Sequence, residues 1–185
     1  ITVYATHQTT NAGAAGSFDL LLRNDLGADV DISSFDTIME FTTGSGLTFT
    51  SVDEIVAAPY SYIFGSILSP PLGSITNPTV LLSDTHSSFQ TVAAGQTVGL
   101  GRIFYTVDPT TAPGDIPVIF SSDSNGYLTH IYDAGFNELP IFLTGGLVTV
   151  PVPEPSQWLM LATGTLLTGY RLLRSQRRSR AGREA

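Results

Sequence analysis

The stretch of sequence that decides the fold is SFDTIMEFTTGSGLTFTSVDEIV, residues 34–56. Apolar and polar positions alternate in its first half, which places one set of side chains on the same face of an extended chain: Phe35, Thr37, Met39 and Phe41. The Gly-Ser-Gly segment that follows is typical of a turn. The pattern therefore predicts two neighbouring antiparallel strands.

The rest of residues 1–150 shows the same alternation, with Gly, Pro, Asn or Asp between short runs. In SFDLLLRN, residues 17–24, Phe18, Leu20 and Leu22 lie on one side, and NDLGAD at 24–29 predicts a turn. Further strands are predicted at ITVYA (1–5), YSYIFGS (60–66), TVLLS (79–83), GRIFYTV (101–107), IPVIFSS (116–122), YLTHIYD (127–133) and GLVTV (146–150). The pattern predicts an all-β fold, a β-sandwich or jelly roll of about nine or ten strands.

Two segments between these runs carry turn residues. Residues 59–78 contain SPPLG and TNP, which predict a long surface loop with one short strand. DSNG at 123–126 predicts a hairpin turn that joins IPVIFSS to YLTHIYD, because Asn125 and Gly126 tolerate the positive φ angles of such a turn.

Composition and charge exclude several functions. The 185 residues contain no cysteine, so disulfides, thiolate zinc sites and a cysteine nucleophile are ruled out. Residues 1–155 carry two arginines against fifteen acidic side chains, whereas residues 156–185 carry six arginines and one acidic side chain. An acidic body repels phosphate backbones, so we do not expect nucleic-acid binding.

The C-terminal stretch VPVPEPSQWLMLATGTLLTGYRLLR, residues 150–174, has a different character. The uncharged run 155–170 spans about 24 Å as a helix, against a hydrocarbon core of about 30 Å. It predicts a single apolar helix that anchors the chain in a membrane through Trp158, Leu159, Leu161, Leu166, Leu167 and Tyr170. The arginines after it predict a cytoplasmic stop, formed by Arg171, Arg174, Arg177 and Arg178. The alternative is a terminal helix packed on the sandwich.

Residues 1–150 resemble a known domain family. TVAAGQTVGLGRIFYTVDPTTAPGDIPVIFSS and DAGFNELPIFLTGGLVTV are similar to the later half of cohesin-like domains, and SFDLLLRN and FDTIMEFTTGSGLTFTSV resemble their opening strands. Cohesins bind dockerins and related sandwiches bind carbohydrate, so the resemblance implies a binding or interaction module. No local motif carries a dockerin-binding residue onto this chain.

Residues 151–185 resemble the PEP-CTERM sorting signal of Gram-negative bacteria: a VPEP motif, a short apolar span and a terminal arginine cluster. By this resemblance Pro153, Glu154 and Pro155 form the motif recognised by an exosortase, a membrane enzyme thought to remove the tail. The resemblance implies export, transient residence in the inner membrane with residues 1–150 outside, and delivery to the cell surface or extracellular matrix. It also requires an export signal upstream of Ile1.

Signatures of catalysis are weak, and we predict neither a cofactor nor a metal. His7, His86 and His130 lie far apart without a known catalytic motif. Three minor candidates remain, and each has a structural alternative. The alternating set Asp84, His86 and Ser88 is either a catalytic triad or a surface turn. Asp123, Asn125 and Gly126 are either a partial calcium loop or a hairpin turn, and Tyr60, Tyr62 and Phe64 are either a sugar-binding strip or core packing.

Three functional hypotheses follow. The first is a non-enzymatic structural or adhesive protein of the cell envelope or its extracellular polysaccharide. The second is a module that binds carbohydrate or a dockerin-like partner. The third is an enzyme of unrecognised type, which would require a cleft that holds His86 or His130 with a carboxylate of shifted pKa.

Overall fold

A computed structural model of the chain describes residues 1–66, 72–123 and 126–152. These residues form fourteen strands, and their bounds are β1 Thr2–Ala5, β2 Gln8–Thr9, β3 Ala15–Arg23, β4 Val30–Phe41, β5 Leu47–Asp53, β6 Gly73–Thr76, β7 Thr79–Val92, β8 Thr97–Val107, β9 Gly114–Phe120, β10 Ser122–Asp123, β11 Gly126–Tyr127, β12 Thr129–Asp133, β13 Phe142–Thr144 and β14 Gly146–Val150. The all-β prediction is confirmed for the described part of the chain. The strands outnumber the predicted nine or ten because several have only two or three residues.

The strands form two main sheets. The first sheet has the order β13–β1–β3–β8–β5, and the second has the order β2–β14–β9–β4–β7–β6, with β12 also paired to β4. Strands β10 and β11 pair only with each other. Most pairs are antiparallel, but β13 lies parallel to β1 and β2 lies parallel to β14.

The sequence that was expected to form neighbouring strands instead contributes one strand to each sheet. β4 pairs with β7, β9 and β12, whereas β5 pairs with β8. Alternation gives both strands an inward apolar face, but it does not distinguish pairing within a sheet from packing between sheets. The rings of Phe41 and Phe49 stack with centroids 4.1 Å apart, so the inward faces meet across the core.

An aromatic cluster joins the two sheets. Phe41 of β4 contacts Phe49, Phe18 and Tyr105, which belong to three strands of the first sheet. All four rings are at most 2% exposed. The inward residues Phe35, Thr37, Met39 and Phe41 are buried as the alternation predicted.

Strands β9 and β12 act as one interrupted strand along β4. Phe120 faces Met39, the Ser121 N–H donates to the Ile38 carbonyl, and Thr129 faces Thr37. The chain therefore leaves the sheet after Ser121 and returns to it at Thr129, and Asp123 pairs with Gly126 in between. The predicted hairpin turn has its central residues, 124 and 125, outside the described residues, and the strands on either side of it are the short β10 and β11, so β9 and β12 do not pair with each other.

The predictions for residues 59–78 need correction. Residues 60–66 form no strand beyond a single bridge from Tyr62 to Gly99, and Tyr62, Ile63 and Phe64 are buried in the core. The expected short strand exists as β6, while residues 67–71 lie outside the described residues. The run TVLLS continues much further than expected, since β7 extends to Val92.

The C-terminal predictions fall outside this description. The sorting motif, the apolar helix and the arginine cluster occupy residues 153–185, which are not among the described residues. Within the residues that the structure does describe, no helix has the length and apolar character needed to cross a membrane.

Candidate functional site

The structure brings together two sets of residues that are separate in the sequence, those at 60–64 and those at 84–88. Tyr62 Oη donates to Asp84 Oδ2 at 2.6 Å, and Asp84 Oδ1 accepts the Thr85 N–H at 2.8 Å. Tyr62 and Asp84 are only 7% and 6% exposed. Burial first, and the neighbouring Asp84 second, raise the pKa of Tyr62 far above its ordinary value, so Tyr62 stays protonated as a donor.

The neighbouring rings pack from the core towards the surface. Phe64 stacks on Phe35 at 6.1 Å and on His86 at 5.4 Å. His86 Nδ1 lies 3.0 Å from Ser88 Oγ, while the Asp84 carboxylate accepts hydrogen bonds from the Tyr62 hydroxyl and the Thr85 N–H. The Asp84, His86 and Ser88 side chains therefore do not form a triad, because the carboxylate does not orient the imidazole.

The aromatic strip predicted at residues 60–64 is also a packing feature. Tyr62 and Phe64 are buried, so they offer no exposed ring for a sugar, and the core-packing alternative is confirmed. Tyr62 and Phe64 thus belong to the core, and they contact Asp84 and His86 of β7.

Replacing Tyr62 with phenylalanine is expected to destabilise the domain by about 2 kcal/mol. The variant keeps the buried ring but removes the donor to Asp84, and an unsatisfied buried acceptor costs about 1–3 kcal/mol. Urea unfolding followed by circular dichroism measures the change. Tyr60→Phe is the matched control, because Tyr60 is less buried and neither donates to nor accepts from Asp84; equal losses in the two variants would contradict this role of the Tyr62 hydroxyl.

The other histidines and the calcium candidate occupy separate places. His7 follows β1, and His130 lies on β12, where its Nδ1 is 2.8 Å from Glu138 Oε1. Asp123 and Gly126 pair across the hairpin, and Asn125 lies outside the described residues. No group of three or more His, Asp or Glu side chains in the described ranges is arranged to hold a metal ion.

The turn after β12 is organised by one carboxylate. Asp133 Oδ1 accepts the Gly135 N–H at 2.7 Å and the Asn137 N–H at 2.8 Å, and the Asn137 amide donates to both oxygens. The backbone and side-chain donors of Asn137, followed by Gly135, hold the pKa of Asp133 below its usual value. Phe136 occupies the turn with φ of 60° and is 66% exposed.

Acid is expected to release this turn only below the normal titration range of aspartate. Because the folded pKa of Asp133 lies below the unfolded one, its stabilising effect is fully present above the unfolded pKa and is lost as pH falls through the folded pKa. NMR titration of the Gly135 and Asn137 amides should show a midpoint below that of an unstructured aspartate. A midpoint at or above the ordinary value would contradict the hydrogen bonding described.

The outer face of the second sheet carries a row of apolar side chains, here called the apolar row. Ile38 faces Leu81 on the neighbouring strand, and Ile119 pairs with Glu40, two positions further along β4. Pro117 and Leu147 continue the row onto β14. Ile119 is 41% exposed, Pro117 is exposed and the others are half-buried, so the row is accessible on a sheet face.

Acidic residues border the apolar row. Asp36 and Glu40 flank Ile38 on β4, and Asp115 lies beyond Pro117 on β9. Residues 1–152 contain two arginines, and both are already paired, Arg23 with Asp25 and Arg102 with Asp19. The face therefore combines apolar contact area with negative charge, which suits a partner that is apolar at its centre and basic at its rim.

A groove of about 710 Å³ opens beside β12. It is lined by Thr129, His130, Glu138, Leu139, Pro140, Ile141, Phe142 and Leu143. Much of the lining comes from the chain that connects β12, in the second sheet, to β13, in the first. His130 and Phe142 both line the groove, but no local pattern in the sequence predicts that they lie close together.

Known structures share this arrangement of strands. The seventh ScaB type I cohesin of Pseudobacteroides cellulosolvens matches with a TM-score of 0.59 and 16% identity, covering 83% of this chain and 94% of that one. A non-cellulosomal cohesin from the archaeon Archaeoglobus fulgidus matches with a TM-score of 0.58 and 14% identity, covering 84% and 94%. The type I cohesin–dockerin complex Coh-OlpA-Doc918 of Clostridium thermocellum gives 0.58 and 15%, covering 80% and 97%.

These similarities and the two-sheet topology define the described part of the chain as a cohesin-like β-sandwich. The resemblance noticed in the sequence is thus confirmed at the level of fold. No protein-family model matches the chain, and no curated protein matches it by sequence.

Proposed function

We propose that this chain is a non-catalytic binding module displayed outside the cell, where it has a structural or adhesive role. The observation that carries the proposal is the apolar row, a set of accessible apolar side chains on four strands of the outer face of the second sheet, with acidic residues among and beside them. The cohesin-like fold supports it, because similar solved structures include a cohesin in complex with a dockerin.

The chemistry of the face defines the class of partner. Burial of apolar surface contributes about 25 cal/mol per Å², so the apolar row favours a partner with a complementary apolar strip. Asp36 and Glu40 attract Lys or Arg side chains at the rim of such a partner. The partner is a protein module, as the dockerin is in the similar cohesin–dockerin complex.

Capture from envelope extracts of the native host tests this proposal when the full chain is compared with two variants. Ile38→Gln removes apolar contact from the row, and Thr48→Gln changes an exposed residue of β5 in the other sheet. We expect Ile38→Gln to weaken capture of one defined protein about tenfold, equivalent to about 1.4 kcal/mol. Capture should also weaken with salt, because the charged rim is screened.

Three results of this capture experiment would count against the proposal. If both variants retain the same proteins, or if Thr48→Gln causes the larger loss, then the apolar row is not the binding surface. Capture that grows with salt would remove the role of the acidic border.

The second part of the proposal concerns residues 151–185, which we assign as the sorting signal. Its support is the sequence pattern: Pro153, Glu154 and Pro155, an uncharged apolar run and six arginines. The short apolar run retains the chain in the inner membrane, and the proline-fixed extended segment offers an exosortase a backbone to bind. Processing would deliver the cohesin-like domain to the cell surface or to extracellular polysaccharide.

Intact-mass spectrometry of the chain from its native host tests the sorting proposal. We expect an extracellular or surface species that ends near residues 153–156. A full-length species confined to the membrane fraction would instead make the tail a permanent anchor.

A further inference from the structure

The groove beside β12 has the size and the mixed lining of a ligand site. Its volume of about 710 Å³ falls within the range of about 300–1,000 Å³ that is usual for small-molecule pockets. It borders the apolar row, because His130 in its lining faces Asp36 on β4, but its lining contains none of the apolar side chains of that row. A ligand here would therefore contact a different set of residues from the protein partner proposed above.

One wall of the groove is polar. His130 Nδ1 and Glu138 Oε1 form a 2.8 Å contact, and their side chains remain 36% and 55% exposed. This contact uses one ring nitrogen and one carboxylate oxygen, so each side chain has a second polar atom with which to bond a ligand. Thr129 also lines the groove, but its hydroxyl is buried on the side of the core residue Thr37 and is not open to a ligand.

The other wall is apolar. Phe142 is 73% exposed, and Leu139 and Ile141 are partly buried against the core beneath it. A phenyl ring held open to solvent on a strand gains free energy when a ligand covers it. The combination of an open aromatic ring with an adjacent imidazole and carboxylate suits a ligand that has both an apolar face and hydroxyl groups.

We infer that this groove binds a neutral glycan. A pyranose ring presents C–H groups that pack on Phe142 and hydroxyls that donate to the second carboxylate oxygen of Glu138 and to the second ring nitrogen of His130. A polyanionic glycan is disfavoured because residues 1–150 carry two arginines against fourteen acidic side chains. Glu138 is the one carboxylate in the lining, whereas glycoside hydrolysis usually requires two, so the groove binds glycan without cleaving it.

Titration of the full 185-residue chain with defined oligosaccharides tests this inference. The chain is held in a polyoxyethylene detergent, which has no sugar headgroup, and the probes are neutral hexasaccharides of glucose, xylose, mannose and galactose together with hexagalacturonate. We expect saturation-transfer NMR and calorimetry to detect binding of at least one neutral probe. Phe142→Ala and Glu138→Gln should each weaken that binding at least tenfold.

Two controls separate this result from other effects. Phe136→Ala removes a phenyl ring of similar exposure from the adjacent turn outside the groove, and it should leave binding unchanged. Ile38→Gln should also leave glycan binding unchanged. A failure of the protein-partner proposal can therefore be told apart from a failure of the glycan inference. The inference is overturned if no neutral probe binds or if hexagalacturonate binds as tightly as the neutral probes. It is also overturned if Phe142→Ala and Glu138→Gln keep the native circular dichroism spectrum and bind the neutral probe with unchanged affinity.

Discussion

Phe41→Ala is expected to lower the free energy of unfolding by about 3–5 kcal/mol, the usual cost of deleting a fully buried phenylalanine. Phe41 is 1% exposed and stacks on Phe49 at 4.1 Å. Its ring also meets Phe18 and Tyr105 edge-on, at 6.4 and 5.8 Å. Because these partners belong to the opposite sheet, the substitution opens a cavity at the contact that holds the two sheets together.

Urea unfolding of the full chain, followed by circular dichroism, measures this effect. The matched control is Phe89→Ala, which removes the same side chain at a position that is 51% exposed. We expect the control to change stability by less than about 1 kcal/mol, since surface substitutions rarely do more. Similar losses in both variants would show that the cluster around Phe41 does not join the sheets as described.

Asp19→Ala is expected to cost about 3 kcal/mol, because it leaves Arg102 without its counter-charge. Asp19 is 5% exposed and faces Arg102 directly across β3 and β8. Its oxygens accept Arg102 Nε at 2.8 Å, Arg102 Nη2 at 3.1 Å and the Ala57 N–H at 3.0 Å. Breaking a buried ion pair costs about 3–5 kcal/mol, and we take the lower value because 24% of the Arg102 side chain meets solvent.

The hydrogen bond from Arg102 to Asp19 raises the pKa of Arg102. The guanidinium also remains charged when Asp19 is lost, because arginine is protonated in proteins without a partner. A double-mutant cycle isolates the interaction: Asp19→Ala combined with Arg102→Met should be less destabilising than the sum of the single changes. The exposed pair of Arg23 and Asp25 provides a control, and Asp25→Ala should cost less than about 1 kcal/mol. Additive effects in the Asp19 cycle would contradict the coupling.

The sequence was sufficient to predict strands because the alternation of side chains is local. Phe18, Leu20 and Leu22 are buried as predicted, and the strands at residues 101–107 and 146–150 lie where expected. The assignment of strands to sheets was not predictable in the same way. The side chains of β4 and β5 show the same alternation whether the two strands pair within one sheet or pack face to face from two sheets. The aromatic residues Tyr62 and Phe64 alternate like a strand, but they pack in the core, and their segment makes only a single bridge to β8.

The candidate sites depended on contacts that no local pattern contains. Tyr62 and Asp84 lie 22 positions apart and meet because the chain after β5 folds back beside β7. His130 and Phe142 line one groove because the chain changes sheet between them. The apolar row likewise required the register of four strands, although alternation alone had placed Ile38 on the face opposite to the core.

Site-specific photo-crosslinking in the native host tests the central claim most directly, namely that the outer face of the second sheet binds a protein partner. A photoreactive amino acid replaces Ile119 in one strain and Thr48, an exposed residue of the first sheet, in another. Binding through the apolar row predicts one defined crosslinked protein from position 119 that is absent from position 48 and lost when Ile38→Gln is added. Equal labelling from both positions, or no crosslink from position 119, would contradict the claim.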